Sequence, residues 1–182
     1  MKMLKKLLAV VLTGAMALTL LTACGSNAVT EKDIADAMND MAKAAEEDIT
    51  FTPQAKEREL AKAIAALSDE ELKELEESLK HSSLPEKAEE ILGINADGEN
   101  ETSRFVWSGV IYTDGLGVSG QAFDLQNQVV EANDARNGAS LGDKKPADAR
   151  FMGSALCKVV DKGKPVTVRV IVVTAKAEEY NG

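Results

Sequence analysis

The sequence predicts an α+β protein in which acidic helices come first and a small antiparallel β-sheet, roll or OB-like barrel follows. Charge is the first observation behind this: residues 30–101 carry 21 acidic and 8 basic side chains, whereas residues 102–182 carry 9 and 10. Periodicity is the second, because apolar residues recur every three or four positions before this boundary and every second position after it. We therefore expect a helical region at 30–101, a β region at 102–176 and a polar tail at 177–182.

Capping signals place the starts of the first helices. Thr30 offers an N-cap with Asp33 three residues later. The apolar side chains that follow share one helical face: Ile34, Ala37, Met38, Met41 and Ala45. Pro53 is expected at the first position of a second helix, where the missing N–H breaks no helical hydrogen bond. Ser68 and Glu71 form a second capping box and begin a third helix.

A last short helix is expected between Pro85, which opens it, and Gly93, which ends it. All of these helices are highly charged and have narrow apolar stripes. This pattern predicts either a small helical bundle or helices that cover one side of the later sheet. An acidic surface for a partner is the alternative, although Phe51 is the only aromatic residue between Cys24 and Phe105.

The β region begins with alternating residues from Arg104 to Tyr112. Asp114-Gly115 comes next, a dipeptide typical of a tight hairpin turn, and it predicts a second strand over residues 116–125. Residues 126–132 fit either a strand or a helix. Residues 133–147 have the composition of a loop.

A second hairpin is predicted from Arg150–Val160, a turn at Asp161–Lys164 and a strand from Pro165 to about Thr174. The last strand is apolar on both faces. One face carries Val166, Val168, Val170 and Val172, and the other carries Thr167, Arg169, Ile171 and Val173. Because strands covered on both sides are apolar on both sides, we expect this strand in the middle of the sheet.

The first 23 residues have the features of a targeting peptide. Lys2, Lys5 and Lys6 precede an uncharged apolar stretch, residues 7–20, that is short for a membrane-spanning helix. The stretch ends in Leu21-Thr22-Ala23-Cys24. This ending resembles the lipobox of bacterial lipoproteins, with leucine at −3, a small residue at −1 and the cysteine at +1.

The resemblance implies that Cys24 is thioether-linked to diacylglycerol and that cleavage falls between Ala23 and Cys24. Two acyl chains make a stable anchor where one is marginal. Residues 1–23 would then be removed, and residues 24–29 would tether the folded body to the extracytoplasmic side of a cell membrane. The alternative is a conventional signal peptide, or an uncleaved anchor, with Cys24 incidental. The kind of bacterial envelope stays open.

Composition limits the partners. Without residues 1–23 the chain has 18 basic and 30 acidic residues, a net charge of −12. A nucleic-acid ligand is not expected, because phosphate contacts need a basic surface. An anionic membrane would repel the body as a whole, so the lipid must anchor it. If Cys24 is lipidated, Cys157 has no disulfide partner in the chain.

Several stretches match cofactor or metal motifs only in part, and we predict neither a cofactor nor a metal from them. Gly115–Gly120 spells G-x-G-x-x-G, but we expect a strand after it and no βαβ unit around it. Calcium loops centred on Gly98 or Gly138 lack the carboxylate at position twelve. His81 is the single histidine and lies in an expected loop, and Cys157 is expected as a small buried residue. Residues 138–142 spell G-x-S-x-G, but they fall within the expected loop and not at a turn from a strand to a helix.

Trp107 and Tyr112 are the weak candidates for ligand binding, because they fall on opposite faces of one strand and one of them could be exposed to a glycan or peptide. Our first hypothesis is a non-enzymatic, lipid-anchored binding or interaction module. The second is a small cell-surface hydrolase, which would need a concave pocket with converging polar groups. The third is the solute-binding component of a transporter.

Overall fold

The computed structural model describes residues 29–78, 84–94, 104–130, 133–134, 137, 141 and 143–179. The α+β class is confirmed. The helices in this part of the chain are α1 (Glu31–Ala44), α2 (Ala55–Ala65), α3 (Asp69–Ser78), α4 (Glu86–Leu92) and α5 (Val118–Asp124), which a π-helix (Leu125–Val130) extends. The strands are β1 (Thr50–Pro53), β2 (Arg104–Tyr112), β3 (Lys144–Asp161) and β4 (Lys164–Glu179).

The four strands form one open sheet in the order β1-β3-β4-β2. The two long strands pair antiparallel, and β2 pairs antiparallel with β4. The short strand β1 instead pairs parallel with β3, so the sheet is mixed rather than purely antiparallel, and it forms neither a roll nor a barrel. As predicted, β4 lies between two neighbours, because both of its faces are apolar and both are covered.

Helices cover both faces of the sheet, not one. On the face that we call the α1 face, α1, α5 and the π-helix pack on the sheet around a core of Ile34, Met38, Trp107, Ile111, Leu125, Met152, Ile171 and Val173. On the α2 face, α2, α3 and α4 pack around Ala61, Ile64, Leu75, Leu92, Val106, Val110, Val170 and Val172. Residues of both predicted regions therefore contribute to each core.

The predicted helix caps are present at three sites. The Thr30 side chain accepts a hydrogen bond from the Asp33 N–H at 3.2 Å, and the Thr30 N–H donates to the Asp33 carboxylate at 2.8 Å. Ser68 and Glu71 exchange the same pair of bonds. Gly93 ends α4 with φ +67, a left-handed conformation that glycine adopts without strain.

Pro53 is placed differently from the prediction. It ends the edge strand β1, where a residue without an N–H is tolerated, and α2 begins two residues later with Gln54 as its N-cap. The close contact of α2 with the sheet depends on Gly153. A Cβ atom at that position would lie 2.0 Å from the backbone nitrogen of Arg58.

The hairpin predicted at Asp114-Gly115 is wrong. Gly115 does turn the chain with φ +77, but residues 118–124 form helix α5 instead of a strand. The ambiguous segment after it is helical as far as Val130. The buried residues Ala122, Leu125 and Val129 recur at spacings of three and four, a helical pattern that outweighs the local alternation.

The second hairpin is confirmed but is longer than predicted. β3 begins at Lys144, inside the expected loop, and a bulge between Pro146 and Arg150 accommodates the proline. β4 continues through Glu179 and takes up the first residues of the expected tail. Cys24, His81 and the centres of both calcium-loop candidates lie outside the described residues.

Candidate functional site

A pocket of about 190 Å³ opens on the α1 face, between the end of α1, strand β1 and the π-helix. Its lining combines apolar side chains with charged and polar ones. The apolar part is Met38, Met41, Ala42, Ile49, Phe51 and Val130, and the polar part is Glu47, Gln126, Asp134 and Arg150. Apolar walls with a few converging polar groups are typical of small-molecule sites, although this volume suits only a small ligand.

Arg150 is the central cation of the pocket. Its Cζ atom lies 5.0 Å from the centroid of the Trp107 ring and 5.6 Å from that of Phe51, within the range of cation–π attraction. Its Nε atom is buried and has no hydrogen-bond partner among the described residues. Arg150 lies at the register position opposite Phe51, so the parallel pairing of β1 with β3 creates this stack.

Burial lowers the pKa of Arg150, while the nearby carboxylates of Asp134, Glu47 and Asp148 act in the opposite direction. An arginine keeps its charge in proteins, so the guanidinium is a partly desolvated cation. No ion pair within 4.0 Å joins it to a carboxylate of the described chain. A partly desolvated charge that lacks an ion-pair partner is costly, which favours an anionic group of a ligand at this position.

Asp134 faces the same pocket and is held by the indole. The Trp107 Nε1–H donates a hydrogen bond to Asp134 Oδ1 at 2.8 Å. Burial raises the pKa of Asp134, against the opposing effects of that hydrogen bond and of Arg150. Asp134 and Glu47 are therefore two acceptors that can receive N–H donors of a ligand, on the wall that also holds one cation.

A second polar cluster surrounds Arg169 near the start of α1. Its guanidinium donates to Gln121 Oε1 at 2.9 Å, to Ser154 Oγ at 2.9 Å and to the carbonyl oxygen of Val29 at 2.6 Å. Burial lowers the pKa of Arg169, and Glu31 opposes that shift. Each of the three nitrogens of this guanidinium donates a hydrogen bond, so the cluster fixes Val29 and α1 on the sheet instead of presenting a free site.

The two aromatic residues singled out from the sequence lie apart. Trp107 is 1 % exposed and stacks on Phe105 in the α1-face core, so its ring does not form an exposed aromatic surface. Tyr112 is half-buried on the α2 face, and its hydroxyl donates to Glu76 at 3.0 Å. Only Trp107 is near the pocket, which it touches through Asp134 and Arg150.

Sequence reasoning missed Arg150 and Asp134. Arg150 marked only the start of a strand, and Asp134 fell in an expected loop. The signal that was available is weak: a charged residue at the edge of a strongly apolar strand needs a compensating environment. The strand-to-strand pairing that brings Phe51 to Arg150 leaves no local trace in the sequence.

The structure gives no further support to the weaker sequence motifs as functional sites. A helix does begin at Val118, inside Gly115–Gly120, contrary to expectation. It connects β2 with β3, which run parallel but are not neighbours because β4 lies between them and pairs antiparallel with both, so the motif does not belong to a βαβ unit of adjacent strands. Cys157 is a free, half-buried thiol, and burial raises its pKa, which disfavours the reactive thiolate. Among the described residues no cluster of three or more His, Cys, Asp or Glu could hold a metal ion.

Comparison of the chain with models of protein families, with curated proteins and with solved structures finds no match. Within the described part of the chain, no helix has the length and apolar character needed to cross a membrane.

Proposed function

We propose that the protein is a lipid-anchored extracytoplasmic binding module whose pocket holds a small zwitterionic ligand of amino-acid size. The observation that carries this proposal is the composition of the pocket wall. One guanidinium that has no ion-pair partner among the described residues, two carboxylates and an apolar surface share a volume of about 190 Å³. For scale, a dry engineered cavity of about 150 Å³ holds benzene.

The mixture of charges selects the ligand class. A simple anion would pair with Arg150 but would be repelled by Glu47 and Asp134. A simple cation would pair with the two carboxylates but would be repelled by Arg150. A ligand with one carboxylate and one ammonium group satisfies both kinds of wall residue. Its apolar part would then lie against Met38, Met41 and neighbouring side chains.

A hydrolase is the alternative that a pocket with polar groups raises. The described lining residues include no Ser, Thr, Cys, Lys or His, so the carboxylates of Glu47 and Asp134 are the only potential nucleophiles among them. Binding uses every charged group in the wall without requiring a further residue. This favours a binding module over an enzyme.

Lipid anchoring rests on Leu21-Thr22-Ala23-Cys24 and on the charged and apolar segments before it. Substitution Cys24→Ala tests it. We expect the wild-type mature chain to carry a mass increase of a diacylglyceryl group on Cys24 and to sediment with membranes, and we expect the variant to lose both. An unchanged mass and unchanged fractionation would contradict anchoring through Cys24.

Calorimetry with matched ligands tests the pocket. L-leucine, 4-methylpentanoate and isopentylamine share a branched apolar group and differ only in carrying both charges, the carboxylate or the ammonium. We expect leucine to bind at least about tenfold more tightly than either analogue, because a hydrogen bond to a charged group contributes about 1.5–3 kcal/mol. Equal affinities for all three, or no binding of leucine, would contradict the proposed ligand class.

Arg150→Met tests whether leucine affinity depends on the guanidinium in the pocket or only on the net charge of the protein. The variant keeps an apolar side chain beside Phe51 and Trp107 but removes the guanidinium, and we expect a loss of leucine affinity of about tenfold or more. Lys145→Met is the matched control, since Lys145 is an exposed cation on the same strand, away from the pocket. Equal effects of the two substitutions would contradict a role for Arg150.

A further inference from the structure

The end of the β3–β4 hairpin extends past the helices of the α1 face. Leu156 is 52 % exposed and Val160 is 44 % exposed, and they are the exposed large hydrophobic residues of the described chain. They are separated by three residues of one strand, so their side chains lie on the same face as Met152 and Ser154. An apolar pair is thus uncovered at this end of the sheet, whereas the rest of the α1 face is covered.

The described chain begins beside this uncovered pair. The carbonyl oxygen of Val29 accepts from Arg169, and Arg169 is the register partner of Leu156. From there α1 runs away from the hairpin end. Its first residue, Glu31, accepts from the Ser154 N–H at 2.7 Å, and Asn39 bonds to Phe51, which lies opposite Arg150.

The hairpin end is also basic, in contrast to the chain as a whole. Lys158 is exposed between Leu156 and Val160, and Lys162 and Lys164 are exposed at the turn. Asp161 is the one acidic residue between Leu156 and Lys164, and Asp69 at the start of α3 adds a second carboxylate, which accepts from the Val160 N–H. Exposed lysines beside exposed apolar side chains are the combination that binds anionic membrane surfaces.

The backbone of the hairpin has an outer edge without a neighbouring strand, because β1 pairs with β3 only as far as Met152. The Ser154 and Val160 N–H groups on this edge donate to the carboxylates of Glu31 and Asp69. By the alternation of a strand, the Leu156 N–H points to the same edge between them. Such a group is tolerated at the level of lipid headgroups but not in the hydrocarbon core.

We propose that the hairpin end from Leu156 to Pro165 lies on the membrane surface, at headgroup level, beside the lipid on Cys24. This inference rests on the proposed anchoring. Cys24 lies five positions before Val29, a span of at most about 18 Å, and Lys162 lies six positions after Leu156, a span of about 20 Å. The anchor and the hairpin turn can therefore reach the same surface, and the pocket at the other end of α1 faces away from it.

Lipid-quenching fluorescence tests this orientation in the full-length, lipidated protein. Two variants carry Cys157→Ser and one labelling cysteine each, from Leu156→Cys or from the control Lys145→Cys at the opposite end of β3. Both are labelled with an environment-sensitive dye and reconstituted in vesicles of phosphatidylethanolamine and phosphatidylglycerol that contain spin-labelled lipid. We expect several-fold stronger quenching at position 156 than at position 145, and weaker quenching at 156 when Lys158, Lys162 and Lys164 are all changed to glutamine.

Equal quenching at the two positions, in protein that floats with the vesicles and carries lipid on Cys24, would overturn the orientation and leave the anchor intact. Protein that neither floats nor carries lipid would overturn both. A dye at position 156 that is already shielded from water in the Cys24→Ala protein without vesicles would also overturn the proposal, since the chain or a second copy would then cover Leu156.

Discussion

The two faces of the sheet bury different chemistry, although they share the same four strands. The α2 face has an aliphatic core beside one buried carboxylate, that of Glu57, which accepts from the Thr174 hydroxyl at 2.8 Å. On the same face, Gly153 brings the α2 backbone into direct contact with β3. The α1 face buries aromatic rings, the Arg169 cluster and, at its edge, the pocket of Arg150. Stability is therefore expected to depend most on the α2 face, and ligand binding on the α1 face.

The largest expected effect is that of Gly153→Ala on the α2 face. The new Cβ would lie 2.0 Å from backbone atoms of α2, which cannot move as a flexible side chain can. We expect a loss of unfolding free energy above the roughly 3 kcal/mol that overpacking usually costs. Chemical denaturation measures it. Gly120→Ala on the α1 face is the control, since its nearest contact is the flexible Leu116 side chain at 3.1 Å, and a similar loss in both variants would contradict the difference between the faces.

Leu75→Ala should have the next largest effect. Leu75 is fully buried in the α2-face core, and removing such a side chain costs about 2–5 kcal/mol because a cavity remains. Met41→Ala, in the half-buried pocket wall, should cost less than half as much and should weaken leucine binding instead. The comparison would fail if Met41→Ala were the more destabilising substitution in thermal and denaturant unfolding.

Arg169→Met tests the polar part of the α1 face. The substitution leaves Gln121, Ser154 and the Val29 carbonyl without their donor, at about 1–3 kcal/mol for an unsatisfied buried group. We expect a destabilisation of this size together with faster amide hydrogen exchange at the start of α1. An unchanged exchange rate there would show that Arg169 does not hold the beginning of the helix.

The smallest expected effect concerns Tyr112 on the α2 face. Burial, together with Glu76, raises the pKa of Tyr112 from 10.0 to about 12. Between pH 10 and 12 the folded chain then keeps a proton that the unfolded chain has released, so this contribution to stability is lost as pH rises through that range. Ultraviolet titration of the phenolate in wild type and Tyr112→Phe measures the pKa, and a value near 10.0 for Tyr112 would contradict the contact with Glu76.

Sequence patterns correctly predicted those parts of the fold that depend on interactions between residues close together in the chain. The capping residues Thr30 and Ser68 and the two-faced apolar strand β4 lie where their patterns placed them. Helix α5 was missed because residues 116–125 alternate, and its helical spacing becomes visible only when Val129 is included.

The pocket could not be predicted in the same way. It combines Phe51 from β1, Asp134 from beyond the π-helix and Arg150 from β3, and the parallel pairing of β1 with β3 brings two of them together. Such pairing between distant segments leaves no periodic signal in either segment. Trp107 was singled out as an aromatic residue that could be exposed, yet its place in the structure is beside the pocket, under Arg150.

The most direct test of the proposed function follows the Trp107 indole during a titration with L-leucine. The chain has one tryptophan, so its indole N–H gives one side-chain NMR signal, and that N–H is bonded to Asp134 in the pocket wall. We predict a saturable shift of this signal that is absent in Arg150→Met, with no shift at buried amides of the α2 face such as that of Val170. An indole signal that does not move at saturating leucine would contradict the binding site.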